Sequence, residues 1–535
     1  MGDNQAYSYA YGHKRAFLCT LFLSVLTTSL QWKTGQLVHN RIYPVRFLTN
    51  RRWAEPFCVR GDSLENHILK GVGGSRLGPN TPLFIQKDEE LMKRLTRIAS
   101  ISMASMLAAA SLVACSSNSA DDEGDVYFLN FKPEQDAAYQ EIAKAYTEET
   151  GVNVKVVTAA SGSYEQTLKA EIGKDEAPTL FQVNGPAGFI TWQDYMADMS
   201  DTEVAKQLTE DIPPLTTDDG EVRGVPFAVE GFGIIYNDEI FDKYIATSGA
   251  KIKSADEITS YKKLKEVAED MQSKKDELGI DGAFASTSLT SGEDWRWQTH
   301  LANAPIWQEY QDKGVEDTNE IEFTYNKEFK NLFDLYLDNS TVEKSLAPSK
   351  TVTDSMAEFA QGKAAMVQNG NWAWSQISET SGNVVKEDKI KFLPMYMGLP
   401  DEEKFGLNVG TENYLGINSE ASEADQQATK DFVDWLFTSE AGKEHVVKDL
   451  GFIAPFESYT EEDTPNDPLA KQVAEAIANK DLTTYPWNFQ YFPSQQFKDD
   501  FGQALSQYAS GSLKWEEVVN QFKDNWAAEK ETNWG

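Results

Sequence analysis

The chain of 535 residues carries 49 Lys and Arg against 84 Asp and Glu, and this net charge of -35 excludes a nucleic-acid binder that depends on phosphate contacts. With 41% hydrophobic and 12% aromatic residues it can bury large cores. The charge is uneven, because residues 1–114 hold 14 basic and 7 acidic residues. A basic leader therefore precedes a strongly acidic globular part.

The leader contains a secretion signal at residues 92–114. Three cations precede an apolar run at 98–110, which is shorter than the roughly 20 residues that span a bilayer. Leu-Val-Ala-Cys at 112–115 resembles the bacterial lipobox, which implies that Cys115 is diacylated and becomes the new N-terminus. The alternative is an ordinary signal peptide with a chance cysteine. We expect lipid anchoring to the extracytoplasmic face of a bacterial membrane.

Two segments flank this signal. Residues 1–91 lack the periodicity of a domain and precede a signal that works from an N-terminus, so we interpret them as a non-native upstream extension. Residues 115–125 are Ser, Asn, Asp, Glu and Gly with few apolar side chains, which predicts a flexible tether. The folded body is expected at 126–535.

The body alternates strand and helix patterns. We predict strands at 126–131, 152–157, 179–183, 221–229, 364–367, 390–393 and 413–417. Helices are predicted at 135–149, 164–172, 261–272, 329–337, 425–437, 470–478 and 515–526. The early β-α-β-α-β series indicates a mostly parallel sheet covered on both faces, and the length predicts two α/β lobes.

The segment 226–243, PFAVEGFGIIYNDEIFDK, resembles the signature of family 1 extracellular solute-binding proteins of ABC importers. GKAAM at 362–366 and NGNWAWS at 369–375 resemble a stretch of the maltodextrin-binding member. The resemblance implies a periplasmic-binding-protein-like fold of type II, with a ligand cleft between two lobes joined by a hinge and a chain crossing near 230–233. It also implies a monomer without a cofactor that captures a mono- or oligosaccharide and delivers it to permease subunits.

Pro226, Gly231 and Gly233 stand in this signature. Proline would stiffen the entry to the crossing, and the glycines would allow the backbone angles of a hinge. Glycines could equally mark a β-bulge inside one sheet. The residues alone leave both interpretations open.

Sugars present an apolar face and a rim of hydroxyls, so their sites need aromatic planes and polar side chains. The resemblance implies that Glu230 accepts hydroxyls and that Trp372 stacks on the sugar; a solvated Glu230 is the plain alternative. One of Trp295 and Trp297 is expected at the ligand and the other in the core, with Trp374 also in the core. The remaining expected ligand contacts are Lys132, Glu134, Tyr164, Asn184, Glu293, Asn408 and Trp487. Gln182 and the pair at 185–186 depart from the maltodextrin-binding pattern, which argues against maltodextrin itself.

An exported glycoside hydrolase is the main alternative, since aromatic clefts with carboxylates also serve that chemistry. Another surface carbohydrate-binding lipoprotein is a further one. The exported part has only His300 and His445 and no zinc or phosphate-loop motif. Ser-Tyr-Lys-Lys at 260–263 matches S-x-x-K but lacks its companion motifs. We therefore predict a binding protein without a catalytic or metal site.

Overall fold

The computed structural model of the protein describes residues 124–160 and 162–534. The predicted extension at 1–91, the signal peptide at 92–114, the lipidation site Cys115 and the tether up to residue 123 lie outside the described residues. No helix in the described ranges has both the length and the apolar character needed to cross a membrane.

The described residues form twelve strands and sixteen α-helices. The strands are β1 (Val126–Asn130), β2 (Val154–Thr158), β3 (Leu180–Asn184), β4 (Leu215–Thr216), β5 (Val222–Pro226), β6 (Glu230–Asn237), β7 (Gly282–Phe284), β8 (Ala364–Gly370), β9 (Ile390–Leu393), β10 (Phe405–Gly410), β11 (Asn413–Ile417) and β12 (Thr483–Pro486). The helices are α1 (Asp136–Thr150), α2 (Tyr164–Glu171), α3 (Gly185–Trp192), α4 (Glu203–Lys206), α5 (Asp238–Ile245), α6 (Tyr261–Ser273), α7 (Lys275–Leu278), α8 (Ala302–Lys313), α9 (Asn326–Asp338), α10 (Val352–Ala360), α11 (Ala373–Ser378), α12 (Glu423–Thr438), α13 (Glu440–Lys448), α14 (Pro468–Ala478), α15 (Gln495–Ala509) and α16 (Trp515–Asn533).

Two six-stranded sheets define two lobes. The first lobe has the strand order β2-β1-β3-β11-β5-β4. The second has the order β12-β10-β6-β8-β7, with β9 paired to β6. Helices pack on these sheets, so the predicted two-lobed α/β architecture is confirmed.

The prediction of a mostly parallel sheet is wrong, because both sheets are mixed. In the first lobe β1 is parallel to β2 and β3, whereas β11 is antiparallel to β3 and β5. In the second lobe β6 is antiparallel to β8, β9 and β10. A helical crossover within one sheet yields a parallel neighbour, but β11 enters its sheet from β10 of the other lobe after only two residues.

The chain passes between the lobes three times within the described residues. The passages are residues 227–229, 411–412 and 449–467. The first lies just before the predicted position near 230–233, because β6 already belongs to the second sheet. Val229 N–H donates to Ile453 O at 2.7 Å and Phe227 N–H to Asn413 O at 3.2 Å, so neighbouring passages support one another.

Gly231 and Gly233 have extended backbones inside β6, whose register is continuous with β8 and β10. The bulge interpretation is therefore wrong, while a hinge role of these glycines stays a prediction. A Cβ on Gly231 would lie 2.7 Å from a methyl of Val473 in α14, and one on Gly233 would lie 2.6 Å from the carbonyl oxygen of Leu393 in β9. These glycines allow close packing.

Helix α1 illustrates how well local pattern predicts an element. Tyr139, Ile142, Ala143 and Tyr146 are all buried and share one face by their spacing. Gly151 ends the helix with a φ of 86°, a conformation that costs glycine little. The predicted helix at 135–149 is thus confirmed to within one residue at each end.

Candidate ligand-binding site

A cavity of about 400 Å³ is lined by residues of both lobes. The first lobe contributes residues 131–134 after β1, the start of α2 and the end of β3. The second lobe contributes the segment around 291–300, Trp372 after β8, Trp487 after β12 and the first turn of α15. Its volume is within the range of small-molecule sites, and it faces the carboxyl ends of strands, where ligands of open α/β sheets bind.

The lobes also touch each other beside this cavity. Gly162, in the loop between β2 and α2, lies against Gly292 of the second lobe, and both residues line the cavity. A Cβ on Gly162 would lie only 2.5 Å from the carbonyl oxygen of Gly292. The glycine pair therefore permits a backbone-to-backbone approach that any side chain at 162 would obstruct.

Most of the predicted contact residues share this cavity. Those that line it are Lys132, Glu134, Tyr164, Asn184, Glu230, Trp295, Trp372 and Trp487. Two others lie elsewhere. Glu293 accepts a hydrogen bond from the Val352 amide at 2.7 Å at the start of α10, and Asn408 is buried in β10, where its Oδ1 accepts from Asn303 at 2.8 Å.

Glu230 is a structural part of the cavity wall. Its Oε1 pairs with Lys132 Nζ at 2.8 Å and its Oε2 accepts from Asn413 Nδ2 at 2.7 Å. Both charged side chains are about 95% buried. Burial by itself would lower the pKa of Lys132, but the Glu230 and Glu134 carboxylates raise it overall. This ion pair joins the loop after β1 to the second lobe, so each Glu230 oxygen already has a protein donor.

Tyr164 and Asn184 supply the first lobe's wall in different ways. The Tyr164 hydroxyl donates to Gln182 O at 2.9 Å and accepts from the Gln182 amide at 2.7 Å. Its ring packs edge-on against Phe131, with centroids 5.1 Å apart. Asn184 Oδ1, in contrast, is buried without a hydrogen-bond partner. Tyr164 therefore shapes the wall, whereas Asn184 keeps an acceptor free.

Three tryptophans form an aromatic wall. The Trp372 ring lies 6.0 Å from Trp295 at an interplanar angle of 36° and 6.4 Å from Trp487 at 87°. Trp297 is only 1% exposed and packs in the core of the second lobe, while Trp295 lines the cavity. This agrees with the prediction that one tryptophan of the pair faces the ligand and the other the core. A π-helical turn at Arg296–Leu301 follows Trp295, and such turns are frequent at functional sites.

Arg296 is the principal residue that the sequence interpretation missed. It is 3% exposed, and its guanidinium carbon lies 4.1 Å from the centroid of the Trp295 ring. One terminal nitrogen donates to Asn369 Oδ1 at 3.1 Å, while Nε and Nη1 have no hydrogen-bond partner. Burial lowers the pKa of Arg296 to about 10, so the side chain is still a cation at neutral pH. Its position between two tryptophans in the sequence was the available signal.

His300 lies beside the aromatic wall of the three tryptophans. Its ring stacks on Phe232 with centroids 3.9 Å apart, and Gln368 Nε2 lies 3.3 Å from its Nδ1. Burial and the nearby Arg296 cation hold the pKa of His300 well below its ordinary value. The imidazole is therefore neutral. In the described ranges, no group of three or more His, Cys, Asp or Glu residues is arranged to hold a metal ion.

Seven buried polar atoms without hydrogen-bond partners belong to residues that line the cavity. Leaving such an atom unsatisfied costs about 1–3 kcal/mol, and native proteins keep few of them. The donors are Arg296 Nε and Nη1, Trp372 Nε1 and Trp487 Nε1; the acceptors are Asn184 Oδ1, Gln298 Oε1 and Glu412 Oε2. The cavity thus offers aromatic planes together with unmatched donors and acceptors from both sides.

Several solved structures share this fold. A chitin oligosaccharide binding protein is 22% identical, with a TM-score of 0.60 over 77% of this chain and 100% of its own. The GacH receptor of Streptomyces glaucescens, studied unliganded and with acarbose, is 16% identical, with a TM-score of 0.58 over 76% and 99%. A sugar transporter from Bacillus licheniformis in complex with stachyose is 16% identical, with a TM-score of 0.55 over 76% and 100%.

The sequence profile of bacterial extracellular solute-binding proteins matches residues 141–476, which is more than half of the chain. The match includes β6, Trp295, Arg296 and Trp372, and so spans both lobes and most of the cavity wall. The chain therefore belongs to the family of bacterial extracellular solute-binding proteins.

Proposed function

We propose that the protein is the lipid-anchored receptor of an ABC importer, which captures a mono- or oligosaccharide and delivers it unchanged to permease subunits. The observation that carries this proposal is the cavity wall, where three tryptophans stand beside unmatched donors and acceptors from both lobes. A sugar ring complements such a wall, because its C–H face covers an aromatic plane while its hydroxyls donate and accept at the rim.

The proteins of similar fold support this assignment, since they include a chitin oligosaccharide binding protein, a receptor studied with acarbose and a sugar transporter in complex with stachyose. The extracytoplasmic location agrees with the family and with the signal at 92–114. Anchoring through Cys115, action as a monomer and the lack of a cofactor are parts of the proposal. The alternative of a glycoside hydrolase draws on Glu134 and Glu412, two carboxylates that also line the cavity.

Calorimetry on residues 116–535, which contain both sheets and their cores, tests the proposal. A panel of mono- and oligosaccharides should include a ligand with a Kd on the order of micromolar, about -8 kcal/mol. Chromatography after prolonged incubation should return that sugar intact. Cleavage that disappears in Glu134→Gln or Glu412→Gln would favour the hydrolase, and a panel without any binding would refute the sugar assignment.

A further inference from the structure

The charged side chains around the cavity are mostly matched by protein partners. Lys132 pairs with Glu230 at 2.8 Å, and Lys498 Nζ lies 3.9 Å from Glu412 Oε2, close enough for an ion pair but beyond hydrogen-bond distance. Two further carboxylates accept hydrogen bonds: Glu165 from Trp192 Nε1 at 3.2 Å and Asp499 from Gln495 Nε2 at 2.8 Å. The two remaining charged side chains are Arg296, which keeps two nitrogens without hydrogen-bond partners, and Glu134.

These two residues come from different lobes. Arg296 opens the π-helical turn of the second lobe, and Glu134 follows β1 of the first. Neither forms an ion pair within 4.0 Å with a described residue. Burial raises the pKa of Glu134 above its ordinary value, and the Lys132 and Arg296 cations partly oppose that rise. Both line the cavity, so a basic and an acidic side chain border the same space without forming an ion pair.

Their chemistry restricts what can occupy that space. Arginine only donates hydrogen bonds and an ionised carboxylate only accepts them, whereas a hydroxyl does both. A ligand carboxylate could satisfy Arg296, but it would meet the like charge of Glu134 and the carboxylates of Glu165 and Asp499. A ligand ammonium would match these acids but would meet the unpaired Arg296 cation. Like charges brought together in this way weaken binding and disfavour the wrong ligand.

Resting on the proposed function, we infer that Arg296 and Glu134 are specificity-determining residues that select uncharged sugars over uronic acids and amino sugars. Arg296, in the second lobe, donates hydrogen bonds to ligand oxygens. Glu134, in the first lobe, accepts hydrogen bonds from ligand hydroxyls. Because both lobes must be near for the ligand to contact both, this recognition also favours the closed arrangement.

The test uses raffinose, maltotriose and chitotriose as neutral probes, each beside analogues in which one primary alcohol at a time is replaced by a carboxylate or an amine. For the neutral sugar that binds most tightly, there should be at least one position where a carboxylate and an amine each weaken binding about tenfold or more. Glu134→Gln should improve binding of that carboxylate analogue relative to the neutral sugar, and Arg296→Gln should do the same for the amine.

Glu221 and Arg223 provide matched controls, because they form an ion pair on the first lobe away from the cavity. Glu221→Gln and Arg223→Gln should leave unchanged the affinity of the carboxylate analogue and that of the amine analogue, each taken as a ratio to the affinity of the neutral sugar. Should Arg296→Gln fail to fold, Glu134→Gln alone still tests the carboxylate arm. A charged analogue that binds as tightly as the neutral sugar at every position, or ratios unmoved by Glu134→Gln, would overturn the inference while leaving sugar binding intact. If no sugar binds, both the inference and the proposed function fail.

Discussion

Replacing Gly162 with alanine should weaken ligand binding without removing any ligand contact. Gly162 and Gly292 have φ values of +69° and +82°, and their backbones touch between the lobes. A Cβ on residue 162 would lie 2.5 Å from the Gly292 carbonyl oxygen and 2.9 Å from its carbonyl carbon. These are backbone atoms that cannot rotate away, so the lobes must separate to relieve the overlap. The overlap therefore raises the free energy of the closed form and leaves that of the open form unchanged.

The free-energy cost of replacing Gly162 with alanine has two parts. Alanine in a left-handed conformation costs about 1–2 kcal/mol, and this cost falls on open and closed forms alike. The steric overlap adds about 1–3 kcal/mol, typical of overpacking, and falls on the closed form alone. If the ligand binds the closed form, only the second contribution weakens affinity, by roughly 5- to 150-fold.

Gly151→Ala separates these contributions. Gly151 belongs to the same lobe and has a φ of +86°, but a Cβ there meets nothing within 4 Å. Both variants should lose similar stability in urea unfolding, while calorimetry should show weaker binding only for Gly162→Ala. X-ray scattering should show wild type and Gly151→Ala contracting at a ligand concentration that leaves Gly162→Ala extended. Equal affinity and equal contraction of the two variants would refute the idea that the lobes meet at this glycine pair when ligand is bound.

Three other predictions concern processing, pH and stability. Mass spectrometry of membrane-derived protein should find a diacylglyceryl group on Cys115, and Cys115→Ala should yield released protein or an uncleaved precursor; an unmodified cysteine would contradict this. Burial raises the pKa of Asp294 from 3.8 to about 7, so its contribution to the free energy of unfolding is complete below pH 3.8 and is lost as pH rises toward 7. Asp294→Asn should remove this decline in stability, which amounts to up to about 4 kcal/mol. An unchanged dependence of stability on pH would contradict the assignment. Glu230→Gln leaves Lys132 buried without its counter-charge and should lower the free energy of unfolding by about 3–5 kcal/mol in urea titration, whereas a loss below 1 kcal/mol would show that the pair is dispensable.

The sequence predicted individual elements better than their pairing. Local periodicity and composition, which depend on nearby residues, predict the strands at 390–393 and 413–417 and the start of the helix at Trp515, although that helix continues to Asn533. The antiparallel direction of β11 could not be predicted in that way, because it follows from a two-residue connection to the other lobe. The closeness of Gly231 to Val473 likewise depends on residues far apart in sequence.

The site was predictable where a motif or a strand end marked it. Trp372 and Glu230 stand in recognisable segments, and Asn184 directly follows a predicted strand; all three line the cavity. Arg296 was missed although it adjoins Trp295, because sequence does not reveal that a charged side chain is buried without an ion-pair partner. Lys498 was missed because α15 reaches the cavity only through packing of the second lobe.

Sugar stacking against Trp372 is the contact on which the proposed function most depends, and a paired calorimetric titration tests it directly. Trp372 and Trp435 are both partly buried, but Trp435 lies on α12 of the first lobe, where its Nε1 donates to Glu149 at 3.1 Å, and it does not line the cavity. For the sugar that binds wild type, Trp372→Ala should lose about 1–3 kcal/mol, by analogy with aromatic stacking on nucleic-acid bases. Trp435→Ala should bind it as wild type does. A folded Trp372→Ala variant that retains wild-type affinity would contradict the account.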